Sequence, residues 1–344
     1  MTPELSAAGG TPELSAAGGT PDLLTVRDLS VAFPTESGLA QVLDRVSLSL
    51  RPGEIMGLVG ESGCGKTTLA RAILGALPPG AIVGAPPTGA RTDHGAIEFE
   101  GQLLAGSAGP TSSSGLRGRA ITFIPQDPLG AFSPLFTIGA QIAEQLRWNS
   151  PSGNRRERTL EMLRAVQLPD PAALLRKYPH ELSGGQRQRV MIAMALLPEP
   201  RLVIADEPTT ALDVTIQAQI LKLLRRLATE RGAGVLFTTH DLGAAWEICD
   251  RVTVMYAGQE AESADVAGFF ARPAHPYTRM LLDSLPTSGA ALKGIPGAVP
   301  NPTAPPTGCR FHPRCPRATA VCAERQSPVR VVAPGHAVRC HHPL

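Results

Sequence analysis

Gly60-Glu61-Ser62-Gly63-Cys64-Gly65-Lys66-Thr67 has the spacing G-x-x-x-x-G-K-T. It follows an apolar run, Ile55 to Val59, that reads as a buried strand, and it precedes a helix-like stretch, Thr67 to Leu74. Strand, glycine-rich loop and helix in that order form a cradle for phosphate groups. The glycines let the backbone wrap the phosphates with its N–H groups inward, and the new helix adds the positive end of its dipole. Lys66 is expected to reach the β- and γ-phosphates and the Thr67 hydroxyl to ligate Mg²⁺, with Ser62, Gly63, Cys64, Gly65 and Thr68 lining the cradle. The ligand class is a nucleoside triphosphate. The motif leaves open what the energy serves.

The chain has 344 residues, 43% apolar and 18% charged, with a formal charge of +2. These values fit a globular chain with a sizeable core and no basic stripe of the kind nucleic acid demands. No apolar run approaches 18 residues, so no transmembrane helix is expected. The N-terminus lacks a charged-then-apolar signal segment, which points to a cytosolic protein reaching a membrane only through partners. The first residues repeat TPELSAAGG at Thr2–Gly10 and Thr11–Gly19. Such a small-residue duplication cannot bury a core, and 1–21 is expected to be a disordered arm, a duplicated or misassigned start rather than a functional one. Two Gly/Pro/Ser/Thr-rich inserts, Pro78 to Asp93 and Ala105 to Ser114, read as loops on an edge sheet.

Four continuous apolar runs, Glu54–Val59, Ala120–Ile124, Leu202–Ala205 and Val235–Thr238, read as parallel strands buried on both faces. Leu23 to Leu50 reads as short antiparallel edge strands. Ile138 to Leu182 reads as helical, with a loop around Asn149 to Asn154. Ile216 to Gly232 is a further helix whose stripe of Ile220, Leu223, Leu224 and Leu227 is core packing.

Leu182-Ser183-Gly184-Gly185-Gln186 and the apolar strand Arg201 to Ala205 ending in Asp206-Glu207 resemble the ATP-binding cassette (ABC) family, as its signature and Walker B motifs. Gln126 resembles the Q-loop residue, Ala211-Leu212-Asp213 the D-loop, and His240 the switch histidine. Phe33 sits where that family stacks an aromatic on adenine, though plain core is an equal reading. The resemblance implies an α/β fold: a P-loop NTPase cassette with a RecA-like core, an antiparallel β edge and a helical subdomain at about 132–185. The cassette is expected over 22–265, with a small Cys-containing extension over 266–344. Asp206 would hold Mg²⁺ through water, with Thr67 and Gln126 as further contacts. Glu207 would polarise the attacking water, His240 would touch the γ-phosphate, and Gln126 would also take part in catalysis. Ser183, Gly184, Gly185 and Gln186 open a helix and so offer an anion site. In the family that site faces ATP held by the other subunit, which implies a head-to-tail dimer, and Asp213 is expected among the nucleotide-binding residues.

The motifs His275-Pro276-Tyr277-Thr278, Ile295-Pro296-Gly297 and Gly308-Cys309-x-Phe311-x-x-Arg314-Cys315 resemble the C-terminal extension of oligopeptide and dipeptide importer ATPases. The resemblance implies ATP-driven peptide uptake at the cytoplasmic face of the cell membrane. It implies as partners a paralogous or identical ATPase subunit, two permease subunits and an extracytoplasmic substrate-binding protein, with no nucleic acid. Nickel or metal-chelate importers are the nearest alternative. A nucleic-acid-acting ABC ATPase is the alternative of another class, disfavoured by the single cassette and the near-zero charge. An exporter cassette is disfavoured by the extension, and a non-catalytic cassette by intact Lys66, Glu207 and His240.

Cys309, Cys315, Cys322 and Cys340 follow the spacing C-x5-C-x6-C-x17-C. Four thiolates suit tetrahedral Zn²⁺ or a [4Fe–4S] cluster, and unmetallated thiols are the third reading. The family resemblance favours the iron–sulfur cluster as a staple for a proline-rich segment with little core of its own. Arg310, Arg314, Arg317 and Arg339 are expected to offset thiolate charge, and His312, His341 and His342 to be solvated, with substitution as metal ligands their second reading. Cys64 and Cys249 read as packing residues, Cys64 with some promise of reactivity from its place at a helix N-terminus.

Overall fold

A computed structural model describes residues 21–84, 95–106, 109–110, 115–149, 154–210, 213–285 and 294–344. The N-terminal repeat, most of the first insert, much of the second, and Ala211 and Leu212 of the D-loop lie outside the described residues.

Fourteen strands are described: β1 (Leu24–Thr35), β2 (Gly38–Leu50), β3 (Ile55–Val59), β4 (Ile82–Val83), β5 (Ala96–Phe99), β6 (Gln102–Gly106), β7 (Gly109–Pro110), β8 (Ile121–Ile124), β9 (Leu202–Asp206), β10 (Gly234–Thr239), β11 (Arg251–Tyr256), β12 (Gln259–Asp265), β13 (Val329–Ala333) and β14 (His336–Arg339). The helices are α1 (Lys66–Leu74), α2 (Pro128–Ala131), α3 (Ile138–Asn149), α4 (Arg155–Ala165), α5 (Pro171–Leu174), α6 (Gly184–Leu196), α7 (Val214–Arg231), α8 (Leu242–Ile248), α9 (Val266–Ala271), α10 (Pro276–Asp283) and α11 (Ala320–Glu324).

Two sheets organise the chain. The core sheet runs β13-β14-β12-β11-β3-β10-β9-β8. Its centre is parallel: β10 pairs in parallel with both β3 and β9, and β8 with β9. The residues of β3, β9 and β10 are all buried, which explains why those stretches read as unbroken apolar runs. Crossover helices α1, α7 and α8 cover this sheet, and α7 buries Ile220, Leu223, Leu224 and Leu227, the predicted stripe. The antiparallel edge sheet has the order β2-β1-β5-β6-β7, with β4 on β1.

One departure from the sequence reading matters. The edge is built on two long strands of 12 and 13 residues rather than several short ones. The chain passes through them with register shifts, which let one continuous ribbon coil around the core. At the C-terminus β14 pairs antiparallel with β12, so the extension lengthens the core sheet. The main apolar cluster likewise runs from Leu163 and Leu174 in the helical region, through β3 and β10, to Tyr277 and Phe311 of the extension. Among the described residues, no helix is long and apolar enough to cross a membrane.

Candidate functional site

The loop after β3 is shaped by close backbone approach. Gly60 has φ of 155°, and a Cβ there would stand 2.3 Å from the Met255 carbonyl oxygen. Gly65 has φ of 107°, and a Cβ there would meet Leu43 and the Val42 carbonyl oxygen at 2.7 and 2.9 Å. Only glycine satisfies both positions. Gly65 is also the N-cap of α1, so the helix begins as the loop closes, with no side-chain cap over its first N–H groups. Those donors remain for a ligand. Ser62 and Gly63 are exposed, and Thr67 and Thr68 half-buried.

Lys66 is buried, and its ammonium donates to the Gly60 carbonyl at 2.8 Å and to the Glu61 carbonyl at 3.3 Å. It also stands 3.9 Å from Glu207 Oε1. The Thr67 hydroxyl donates to Asp206 Oδ1 at 3.2 Å. Asp206, last in β9 and 4% exposed, accepts on the same oxygen from the Thr238 hydroxyl at 2.5 Å. One hydroxyl and one carboxylate thus meet beside the loop, and hard oxygen donors of this kind suit Mg²⁺.

Glu207 follows directly in a left-handed conformation, φ 46°, unusual for a residue with a Cβ. Its N–H is fixed by the Thr238 carbonyl and hydroxyl at 3.1 and 3.2 Å. The turn aims the carboxylate out of the sheet, where Oε2 meets Gln126 Nε2 at 3.2 Å, His240 Nδ1 at 3.0 Å and the Thr210 hydroxyl at 3.1 Å. Gln126, Glu207 and His240 come from the ends of three neighbouring strands, β8, β9 and β10, so the sheet order itself assembles them. Strained backbone held by several bonds is a mark of sites where geometry serves function.

The other predicted residues lie elsewhere. Ser183 is exposed and caps α6, accepting from Gln186 N at 3.3 Å while the Gln186 side chain accepts from Ser183 N at 3.0 Å. Gly184 and Gly185 form the first turn of that helix. Asp213 is exposed and precedes α7 without a side-chain capping bond. Phe33 is half-buried against the edge-sheet cluster.

All four extension cysteines line one pocket, with His275, Phe311, His312, Arg317, His341 and His342 around them. Cys322 and Cys340 are buried, Cys309 and Cys315 half-buried. Burial pushes the Cys315 thiol up, and that of Cys340 to about 11, aided by the neighbouring sulfurs. Among the described residues, no three His, Cys, Asp or Glu side chains are drawn together as a metal-ligand set. The thiols share a pocket without converging on one point.

The arginines depart from the charge-offset expectation. Arg310 donates to Asp44 Oδ2 at 2.9 Å and to the Ala257 carbonyl. Arg314 donates to both carboxylate oxygens of Glu61, at 2.8 and 3.2 Å. Arg339 pairs with Glu260 at 2.7 Å. Arg317 alone of the four lines the thiol pocket. The histidines are held rather than simply solvated: His312 Nδ1 lies 2.9 Å from the Cys309 carbonyl, His342 Nε2 2.8 Å from the Thr319 hydroxyl, and His341 Nε2 3.0 Å from the Arg325 carbonyl. Cys64 is 1% exposed, and its thiol is pushed up by burial, which Lys66 only partly counters, so the promise of reactivity is lost.

Sequence reasoning missed Thr238 and Thr210, which hold the two acids, and Tyr277, whose hydroxyl accepts from Glu61 N at 3.1 Å.

Comparison with known proteins places this site in context. Residues 43–210 match the family described as ABC transporter, and residues 261–322 match the oligopeptide/dipeptide transporter C-terminal region. A probable peptide ABC transporter ATP-binding protein of Sinorhizobium fredii is 46% identical, over 92% of this chain and 94% of its own. Dipeptide transport ATP-binding proteins of Escherichia coli and Bacillus subtilis are each 42% identical, over 94% and 92% of this chain and 97% and 94% of their own. Among solved structures, the ATP-binding cassette MJ0796, a dimer bound to ADP and Pi in a post-hydrolysis state, superposes with a TM-score of 0.58 at 26% identity, over 71% of this chain and 98% of that one.

Proposed function

The chain belongs to the ATP-binding subunits of ABC transporters, and we propose that it is the ATP-hydrolysing subunit of an importer carrying di- and oligopeptides across the cytoplasmic membrane. The observation that carries the peptide reading is the match of the extension to the oligopeptide/dipeptide transporter region, joined to relatives of that name over more than nine-tenths of the chain. In this reading 22–265 is the cassette, about 132–185 its helical subdomain, and 266–344 the extension.

The loop N–H groups and Lys66 bind the phosphates, and Lys66 exchanges its bonds to Gly60 and Glu61 for phosphate oxygens. Thr67 and Asp206, with Gln126, are the residues to hold Mg²⁺, which neutralises charge on the transferring phosphoryl group when bound. Glu207 accepts a proton from, or polarises, the attacking water, and His240 orients that water while contacting the γ-phosphate. Gln126 links this carboxylate to the loop leading into the helical region. Just beyond it Leu129, Leu135 and Phe136 are 52%, 79% and 59% exposed, an apolar face suited to a permease helix. The start of α6, with Ser183 exposed and Gly184 and Gly185 half-buried, is offered to ATP on a partner ATPase, with Asp213 at the same interface and Phe33 toward the adenine. ATP binding closes the pair and turns the permeases outward so that a binding protein can deliver peptide. Hydrolysis reopens the pair.

The shared thiol pocket supports a metal on Cys309, Cys315, Cys322 and Cys340, as a [4Fe–4S] cluster or Zn²⁺. It would act as a structural staple, and the thiols would have to draw together to bind it. No step of the cycle runs through it.

Uptake of a labelled dipeptide by cells with and without an intact copy of the gene tests the transport claim. Loss of dipeptide uptake on deletion, restored by the wild-type chain and not by Lys66→Ala, is the expected result. Unaltered dipeptide uptake with loss of nickel uptake would overturn it in favour of the metal-chelate branch.

A further inference from the structure

Three sequence motifs of the extension have no role in the nucleotide cycle above: His275-Pro276-Tyr277-Thr278, Ile295-Pro296-Gly297 and the Arg314 that precedes Cys315. They come together on one residue of the phosphate-binding loop, Glu61. Arg314 Nη1 and Nη2 donate to Glu61 Oε2 and Oε1 at 2.8 and 3.2 Å, a fork against a fork. The Arg314 side chain is 4% exposed and that of Glu61 27%. Every remaining donor direction of the guanidinium is also used. Arg314 Nε reaches the Pro296 carbonyl at 2.8 Å, Nη2 the Ile295 carbonyl at 3.2 Å, and Nη1 the Tyr256 hydroxyl at 3.3 Å. Gly297, at φ 77°, leaves room for the stem of the arginine: a Cβ there would stand 3.2 Å from Arg314 Cγ.

Tyr277 completes the grip. It is fully buried, its ring packs against Tyr256 and Phe311 at centroid distances of 4.6 and 5.3 Å, and its hydroxyl accepts the Glu61 N–H at 3.1 Å. Glu61 is thus held by its carboxylate and its backbone N–H together. Its carbonyl accepts from Lys66.

We infer that Arg314 and Tyr277 are positioning residues for the phosphate-binding loop, so that the extension presets the loop for nucleotide. They touch no reacting atom and act through Glu61. A loop fixed at this point spends less ordering free energy when phosphate binds. An arrangement that merely glued the extension to the cassette would not need a bidentate bond to this one loop residue, since Arg310–Asp44 and the β12–β14 pairing already provide attachment. The inference rests on the loop binding MgATP.

The test is steady-state ATP hydrolysis by the assembled transporter, with Arg314→Met, Tyr277→Phe, Glu61→Ala and the Glu61→Ala/Arg314→Met double variant. Arg314→Met and Tyr277→Phe are expected to raise KM for MgATP about tenfold with little change in kcat, as the loss of a bond to a charged group or a loop N–H would do. The double variant is expected to be no worse than the poorer single one, because both break the same link. Tyr277→Phe, which keeps the ring, carries the test if Arg314→Met fails to fold. Wild-type KM in Tyr277→Phe and Arg314→Met, or additive effects in the double variant, would overturn the inference. Absence of MgATP turnover in the wild-type complex would instead sink the ATPase reading on which it rests.

Discussion

His240 Nδ1 and Glu207 Oε2 stand 3.0 Å apart, and the same oxygen is shared by Gln126 and Thr210. The carboxylate just after β9 is held by three side chains. A general base needs such orientation, since proton transfer depends on geometry before acidity.

Glu207→Gln keeps the shape of this residue and removes its basicity. ATP hydrolysis by the assembled complex is expected to fall by about 10²–10⁴-fold while MgATP binding persists. The variant should accumulate as a closed dimer with ATP trapped, readable by size and by retained nucleotide. Fast turnover would remove Glu207 from the chemistry.

His240→Ala removes the neighbour on the other side. It is expected to lower kcat by roughly 10²-fold and to leave KM for MgATP nearly unchanged, because the histidine serves the reaction more than the binding. A large rise in KM at constant kcat would assign it to nucleotide binding instead.

Asp44→Ala tests how the extension is fastened. Arg310 and Asp44 pair with side chains 5% and 9% exposed, and Gln259 Nε2 donates to the same carboxylate oxygen at 2.8 Å. Removing the acid strands a buried guanidinium and is expected to cost about 3–5 kcal/mol in chemical denaturation of the full chain. A loss below about 1 kcal/mol would show that water solvates the arginine after all.

Thiol labelling and metal analysis address the cysteines. Cys64 and Cys249 are each 1% exposed with thiols pushed up by burial, so native protein is expected to leave both unlabelled by iodoacetamide. Anaerobically purified protein is expected to carry iron and sulfide, or zinc, and Cys309→Ser to lose it. Metal-free wild-type protein would leave four free thiols in the pocket and end the metal reading.

The nucleotide site was legible in the sequence because its chemistry needs contiguous backbone. A phosphate cradle is one loop of eight residues, and the buried parallel strands that aim Asp206 and Glu207 must be unbroken apolar runs. The sequence could not show that Thr238 braces both acids, since that depends on β10 lying beside β9. The extension was read least well. Arg314 sits next to Cys315 in the chain, which suggested a counter-charge for thiolates, yet its long side chain turns to Glu61, 253 residues away. The β12–β14 pairing likewise joins segments that share no local pattern. Charge near a cysteine in sequence does not say which way a flexible side chain points.

ATP hydrolysis by the chain reconstituted with its permeases and partner ATPase, with and without peptide-loaded binding protein, decides whether the chain drives peptide import. Slow basal hydrolysis, stimulation by di- or oligopeptide-loaded binding protein, and loss of both with Glu207→Gln are expected. Hydrolysis indifferent to peptide but stimulated by a nickel chelate or by nucleic acid would contradict peptide import.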